Sequence, residues 1–169
     1  MFIFSANYFF CIEVFMKHKG YFLLFIVLVL SDQFTKQIFM SSLEIGQSIV
    51  VNPYLSWTYL HNTGAAFSIL SDGGLIGRLF LLAVSILVSL WVIWWAQKTP
   101  EIYKQKLFGQ FFLLSGAVGN LIDRGLYGYV IDFIDVHVNS FYWPVFNLAD
   151  SFIFIGVVLI IFERKSISK

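Results

Sequence analysis

Four apolar stretches recur along the chain, and the first half of the first, YFLLFIVLVL from Tyr21 to Leu30, is unbroken. Lipid offers a backbone no water to bond, so such stretches are read as membrane helices. Composition agrees. Of 169 residues, 59% are hydrophobic, 20% aromatic and only 12% charged, and the mean hydropathy is +0.80. A soluble domain of this length needs far less apolar surface. The fold class expected is therefore a mainly α membrane protein, with four transmembrane helices and a small extramembrane β-sheet element. The net charge of +1 comes with no basic run that would hold nucleic acid. The single cysteine, Cys11, excludes an internal disulfide. It follows bulky Tyr8-Phe9-Phe10, unlike the small residues that precede a lipid-attachment cysteine.

The spans are expected at about 21–40, 75–96, 107–121 and 146–162. Residues 1–16 are too short to cross a core of about 30 Å at about 1.5 Å per residue. Residues 1–15 read as an extension of doubtful role, with Met16-Lys17-His18-Lys19-Gly20 as a natural start. The membrane domain then covers 16–165, and 166–169 form a tail. Within the first span Asp32 and Lys36 lie i,i+4 on one helical face. They are either an interfacial anchor pair or an interior pair that supports a site. Between the first two spans, the β-branched and aromatic run 48–60, broken by Asn52-Pro53, reads as two short strands with a turn, so a β element is expected within 41–61. Trp91, Trp94 and Trp95 read as an interfacial belt. In the third span Ser115 and Gly119 form a small-xxx-small pair suited to helix packing. Asn120, Asp123 and Arg124 crowd its far end. Basic residues collect at Lys17 and Lys19, at Lys98, Lys104 and Lys106, and at Arg164, Lys165 and Lys169. The positive-inside rule makes that side cytoplasmic, with both termini inside and 41–68 and 123–145 outside.

Two carboxylates then stand out. Asp132 interrupts the apolar run Val130-Ile131-Asp132-Phe133-Ile134, and Asp150 opens the last span. A carboxylate next to lipid costs about 2.5–3.5 kcal/mol and is a functional hypothesis by default. Close together, two such groups share a proton, so one serves as base and the other as acid in attack of water on a peptide carbonyl. Asn147, three residues before Asp150, fits a helix-capping pair. Read alone, Asp150 is equally a structural cap and Asp132 a solvated loop carboxylate. Asp135 competes with Asp132, but in a strand it faces the other way. The three histidines, His18, His61 and His137, form no H-E-x-x-H, and no G-x-S-x-G surrounds a serine. A small transporter lined by Asp32, Lys36, Asp123 and Arg124 is the alternative from another class, and a structural membrane subunit is a third. Most of the charge lies at one membrane edge, which favours the peptidase.

Five blocks carry a family resemblance: SDQFTK at 31–36, NTGAAFS at 62–68, GAVGNLIDR at 116–124, VIDFI at 130–134 and FNLAD at 146–150. In this order among four spans they resemble the lipoprotein signal peptidase (signal peptidase II) family across nearly all of 16–165. The resemblance implies an aspartyl endopeptidase of the bacterial inner membrane with its site on the periplasmic side. It implies a prolipoprotein substrate whose Cys carries a diacylglyceryl group, cut N-terminal to that Cys, in contact with membrane lipids. It implies the catalytic pair Asp132 and Asp150. It assigns supporting or substrate-binding roles to Asp32, Lys36, Asn62, Gly64, Asn120, Asp123, Arg124, Asn147 and Ala149. It implies no metal and no cofactor.

Overall fold

The computed structural model describes residues 18–64 and 74–163. The extension, the Ala65–Ser68 end of the NTGAAFS block and the basic residues 164–169 lie outside the described residues. The elements are α1 Lys19–Ser42, β1 Ser48–Asn52, β2 Leu55–Asn62, α2 Gly74–Lys98, α3 Lys104–Leu126, β3 Val130–Val138, β4 Phe141–Tyr142 and α4 Leu148–Ile161.

Helices α1 and α2 are long and apolar enough to cross a membrane. Helix α3 is long enough but more polar, and it packs against each of the other three helices. It runs further than the expected 107–121, because Asn120 and Asp123 turn inward, buried, instead of ending the helix. Helix α4 is shorter than the expected 146–162. Phe146 bridges to Ile134 of β3, and Asn147 is the N-cap. At 14 residues α4 is about 21 Å long.

Helices α3 and α4 touch backbone to backbone. A Cβ on Gly116 would run into the Ala149 carbonyl, and one on Gly156 would lie 2.6 Å from the Gly109 oxygen. Ser115 is buried, as its packing role requires, but its hydroxyl donates to the Phe111 carbonyl at 2.7 Å. The glycines beside it make the close approach. Trp91 and Trp94 are half-exposed, as a belt requires. Trp95 stacks on Trp91, and the Lys106 ammonium lies 5.4 Å from its ring.

The sheet is larger than a 41–61 element. Its antiparallel order is β1-β2-β3-β4, so the stretch after α3 joins the two expected strands. Leu60 pairs with Asp132 and Asn62 with Val130. A buried cluster of Leu43, Tyr59, Ile131 and Phe133 seats the sheet on the ends of α1 and α4, with Phe39 stacked on Phe133 at 4.3 Å. Phe133 and Ile134 both donate their N–H to the Phe146 carbonyl. That clamp holds the start of α4 against the strand that carries Asp132.

Candidate active site

Asp132 lies in β3, and its side chain turns inward. Asp135, three residues on, turns to the opposite face and accepts from the Thr58 hydroxyl at 2.9 Å. Asp132 is only 3% exposed, so it is not a solvated loop carboxylate. Its Oδ2 accepts from Asn62 Nδ2 at 2.9 Å and its Oδ1 from Asn147 Nδ2 at 2.6 Å. Asp150 sits in the first turn of α4, where the helix dipole favours an anion. The capping pair read from the sequence is present in both directions. Asn147 Oδ1 accepts from the Asp150 N–H at 2.9 Å, and Asp150 Oδ2 accepts from the Asn147 N–H at 3.3 Å. Asn120 Nδ2 donates to Asp150 Oδ1 at 2.8 Å. One asparagine, Asn147, thus bonds to both aspartates, and a second ties Asp150 to the helix bundle.

Burial, and then the Asp150 charge, push the Asp132 carboxyl up to about 7. The bonds from Asn62 and Asn147 and the charge of Lys36 pull the other way. At neutral pH Asp132 therefore holds a proton for much of the time. Both Asp150 oxygens face N–H donors.

Beneath them lies a buried ion cluster. Lys36 Nζ is 2.9 Å from both Asp32 Oδ2 and Asp123 Oδ2. Asp32 and Lys36 are interior, not an interfacial anchor pair. Asp32 Oδ1 accepts from the Ala149 N–H at 2.9 Å, and Asp123 Oδ2 from the Ile131 N–H at 3.1 Å. The cluster thereby holds the backbone beside each aspartate. Gly64 donates its N–H to Asn62 Oδ1 at 3.1 Å, fixing which end of that amide meets Asp132. Arg124 donates to Ser85 Oγ at 3.3 Å, and its charge reaches Asp150 and Asp132.

The structure thus gathers all eleven residues singled out by the sequence around one point. Two others join them. Gln33 donates to Asp32, Asp123 and the Gly119 carbonyl, and Ser85 receives Arg124. Gln33 lies inside the SDQFTK block, beside the charged Asp32. Nothing in the sequence around Ser85 pointed to Arg124, which lies 39 residues away.

Three hollows meet at Asp150. One of about 290 Å³ lies under the sheet, with Asn62, Asn120, Arg124 and Trp143 in its walls. One of about 240 Å³ runs between α2, α3 and α4 past Val84, Ser85, Ala117 and Ile153. The third, about 460 Å³, follows the outside of α4 past Phe146, Phe154 and Ile155. Among the described residues no cluster of His, Cys, Asp and Glu has the arrangement of a metal site.

Apolar helices around a buried Asp132 and a half-buried Asp150, with three hollows meeting at the second, are the arrangement of a membrane enzyme of the paired-aspartate type. The signal peptidase (SPase) II family profile matches residues 24–164. The lipoprotein signal peptidase of Alteromonas mediterranea is 44% identical over 132 residues, 78% of this chain and 72% of that protein. That of Pseudoalteromonas translucida is 43% identical, over 82% of this chain and 83% of that protein. A solved bacterial membrane enzyme, its structure determined by the in meso method, superimposes with a TM-score of 0.77 at 35% identity, covering 85% of each chain. This chain belongs to the signal peptidase II family.

Proposed function

We propose that the chain removes the signal peptide from diacylglyceryl-modified prolipoproteins, cutting N-terminal to the lipidated Cys, with Asp132 and Asp150 as the catalytic pair. The observation that carries this reading is the pair itself, held by one Asn147 side chain at the meeting of three hollows. Asp150, as the anion, takes a proton from water. The water oxygen attacks the scissile carbonyl carbon while Asp132 gives its proton to the carbonyl oxygen. Collapse of the tetrahedral adduct breaks the C–N bond: the departing nitrogen takes the proton gained by Asp150, and a hydroxyl of the adduct returns its proton to Asp132 as the acid carbonyl re-forms. No metal or cofactor enters this scheme.

Substrate chemistry suits the surroundings. Each buried CH₂ of an acyl chain gains about 0.8 kcal/mol, so a diacylated protein stays in the bilayer. The hollow along α4 and the one between α2, α3 and α4 are walled mainly by apolar side chains and end at Asp150. The hollow under the sheet is polar at Asn62, Asn120 and Arg124, which suits a peptide backbone. Lys98 at the end of α2, with Lys104 and Lys106 at the start of α3, supports placing that loop and both termini in the cytoplasm. The site then faces the periplasm of an inner-membrane protein whose partners are prolipoproteins and membrane lipids, not nucleic acid. Incubation of the purified protein with a lipidated prolipoprotein tests the reading. Release of the signal peptide, absent with the unlipidated precursor, is expected; an intact lipidated substrate would overturn it.

A further inference from the structure

The ion cluster beneath the aspartates holds a charge that the reaction above does not use. Lys36 is 1% exposed. An ammonium has three N–H donors and no acceptor. Two of its partners are the carboxylates of Asp32 and Asp123, each at 2.9 Å. The third is Asn120 Oδ1, at 3.0 Å. Asn147 Nδ2 faces the same oxygen at 3.2 Å. The carbonyl end of the Asn120 amide is thus held between two donors, and its NH₂ is left to meet Asp150 Oδ1. With the amide reversed, NH₂ would face an ammonium and a second NH₂, and its carbonyl would face a carboxylate. All three contacts would repel.

We infer that Lys36 is a positioning residue for the cleavage: it sets the direction of the Asn120 amide and so keeps a donor aimed at Asp150. This rests on the reading of Asp132 and Asp150 as the catalytic pair. The role calls for a group that only donates and is anchored. Lysine meets the first condition. Its two counterions meet the second, since each is tied to the backbone beside one aspartate. A neutral residue at 36 would remove the charged one of the two donors that hold the Asn120 carbonyl and so weaken its hold on the amide.

Among the described residues the charged groups around the pair are few. Helix α1 presents Asp32 and Lys36, α3 presents Asp123 and Arg124, β3 carries Asp132 and α4 carries Asp150. Strand β2 contributes neutral Asn62, and α2 the hydroxyl of Ser85. Loss of the donor on Asn120 therefore removes a direct hydrogen bond to Asp150 Oδ1, while the Arg124 charge, which also reaches Asp150, remains.

Two variants test this in the signal-peptide release assay. Asn120→Asp is isosteric, and its new carboxylate still pairs with Lys36, so the fold keeps its clamp. It sets an oxygen against Asp150 where a donor stood. The expected result is a kcat lower by about 100-fold or more, a KM within about threefold of the parent's, and an acid limb of the pH–kcat profile moved to higher pH. Lys36→Met is expected to move kcat and the acid limb the same way. If Lys36→Met does not fold, as judged by its melting, Asn120→Asp decides alone. A folded variant whose kcat stays within about threefold of the parent's, or falls with the pH profile unmoved, overturns the inference. The parent runs in the same assay. Failure of the parent to cut overturns the proposed function, whereas an active parent beside indifferent variants overturns the positioning role alone.

Discussion

At the scale of single residues, the proposed reaction has Asp132 and Asp150 divide the labour of one proton. Asp132→Asn and Asp150→Asn are near-isosteric, and each leaves the pair unable to hold both an acid and a base. General acid–base catalysis is worth about 10²–10⁴ in rate, and residues that act as a unit are non-additive. Each single variant is expected to lose nearly all signal-peptide release, with the double variant little worse. Asp135→Asn is the control, since its side chain lies on the opposite face with Thr58; it should keep most activity. An inactive Asp135 variant beside an active Asp132 variant would move the assignment. The raised Asp132 carboxyl adds a stability prediction. Its folded-state value of about 7 lies above the unfolded value of about 3.9. The folded state then binds the proton more tightly, so this group favours folding at low pH and loses that contribution as pH rises through about 7. The full loss is at most about 4 kcal/mol. Asp132→Asn escapes it. Its melting temperature in detergent should exceed the parent's at pH 8, and the gap should narrow towards pH 5. A gap that widens on acidification would contradict the assignment.

At the scale of elements, the site depends on how closely α3 and α4 approach. Gly116 faces the Ala149 carbonyl, one residue from Asp150. Gly116→Ala must push the start of α4 away and disturb Asn147 and Asp150 together. A loss of about 1–3 kcal/mol is expected for such overpacking, with a fall in kcat larger than the fall in folded fraction. Gly125→Ala, in the same helix with nothing within 4 Å, is the contrast. It should be neutral, or stabilising by about 0.5–1 kcal/mol. Thermal melting and release kinetics on both variants check this. These contacts also mark what the sequence could and could not tell. Asp132 and Asp150 were legible because a charge in an apolar run is costly, and Asn147 because capping obeys a fixed spacing. The joining of β3 to β2 was not legible. Val130 to Phe133 are all buried, so the in–out alternation that betrays a strand is missing there. The far end of α3 was cut short for a related reason. Polar residues normally close an apolar span, and only the folded cluster shows Asn120 and Asp123 facing inward. The Lys36 contact joins residues 84 apart, a separation no local pattern reports.

At the scale of the whole molecule, the heights of the helices set the depth of the site. Three of them share an inner level: a single hollow touches the starts of α1 and α3, and Gln105 of α3 donates to the carbonyls of Leu159 and Phe162 at the end of α4. From that level Asp32 is about 20 Å up α1, Asn120 about 24 Å up α3 and Asp150 about 17 Å up α4, at about 1.5 Å per residue. A hydrocarbon core is about 30 Å thick. With that level set at the inner edge of the core, the proposed catalytic pair would lie several ångströms or more below the outer edge of an average bilayer, and the lipid would have to thin there or the substrate reach down. In the proposed topology the basic residues at that level, Lys98, Lys104 and Lys106, anchor the molecule from the cytoplasmic side, so a thicker bilayer would not be met by simply riding higher. A lipidated Cys brings its acyl chains to the right depth, but the peptide bond beside it prefers water, and each unsatisfied backbone group in hydrocarbon costs several kcal/mol. Cleavage should therefore fall as the bilayer thickens. In vesicles of phosphatidylcholine with chains of increasing length, kcat/KM for a lipidated substrate is expected to drop several-fold once the core exceeds about 33 Å, the upper end of natural membranes. Thermal melting of the protein in each vesicle, which measures the folded fraction, separates depth from inactivation. A rate indifferent to thickness would mean that the outer ends of the helices, not the inner ones, fix the protein in the membrane.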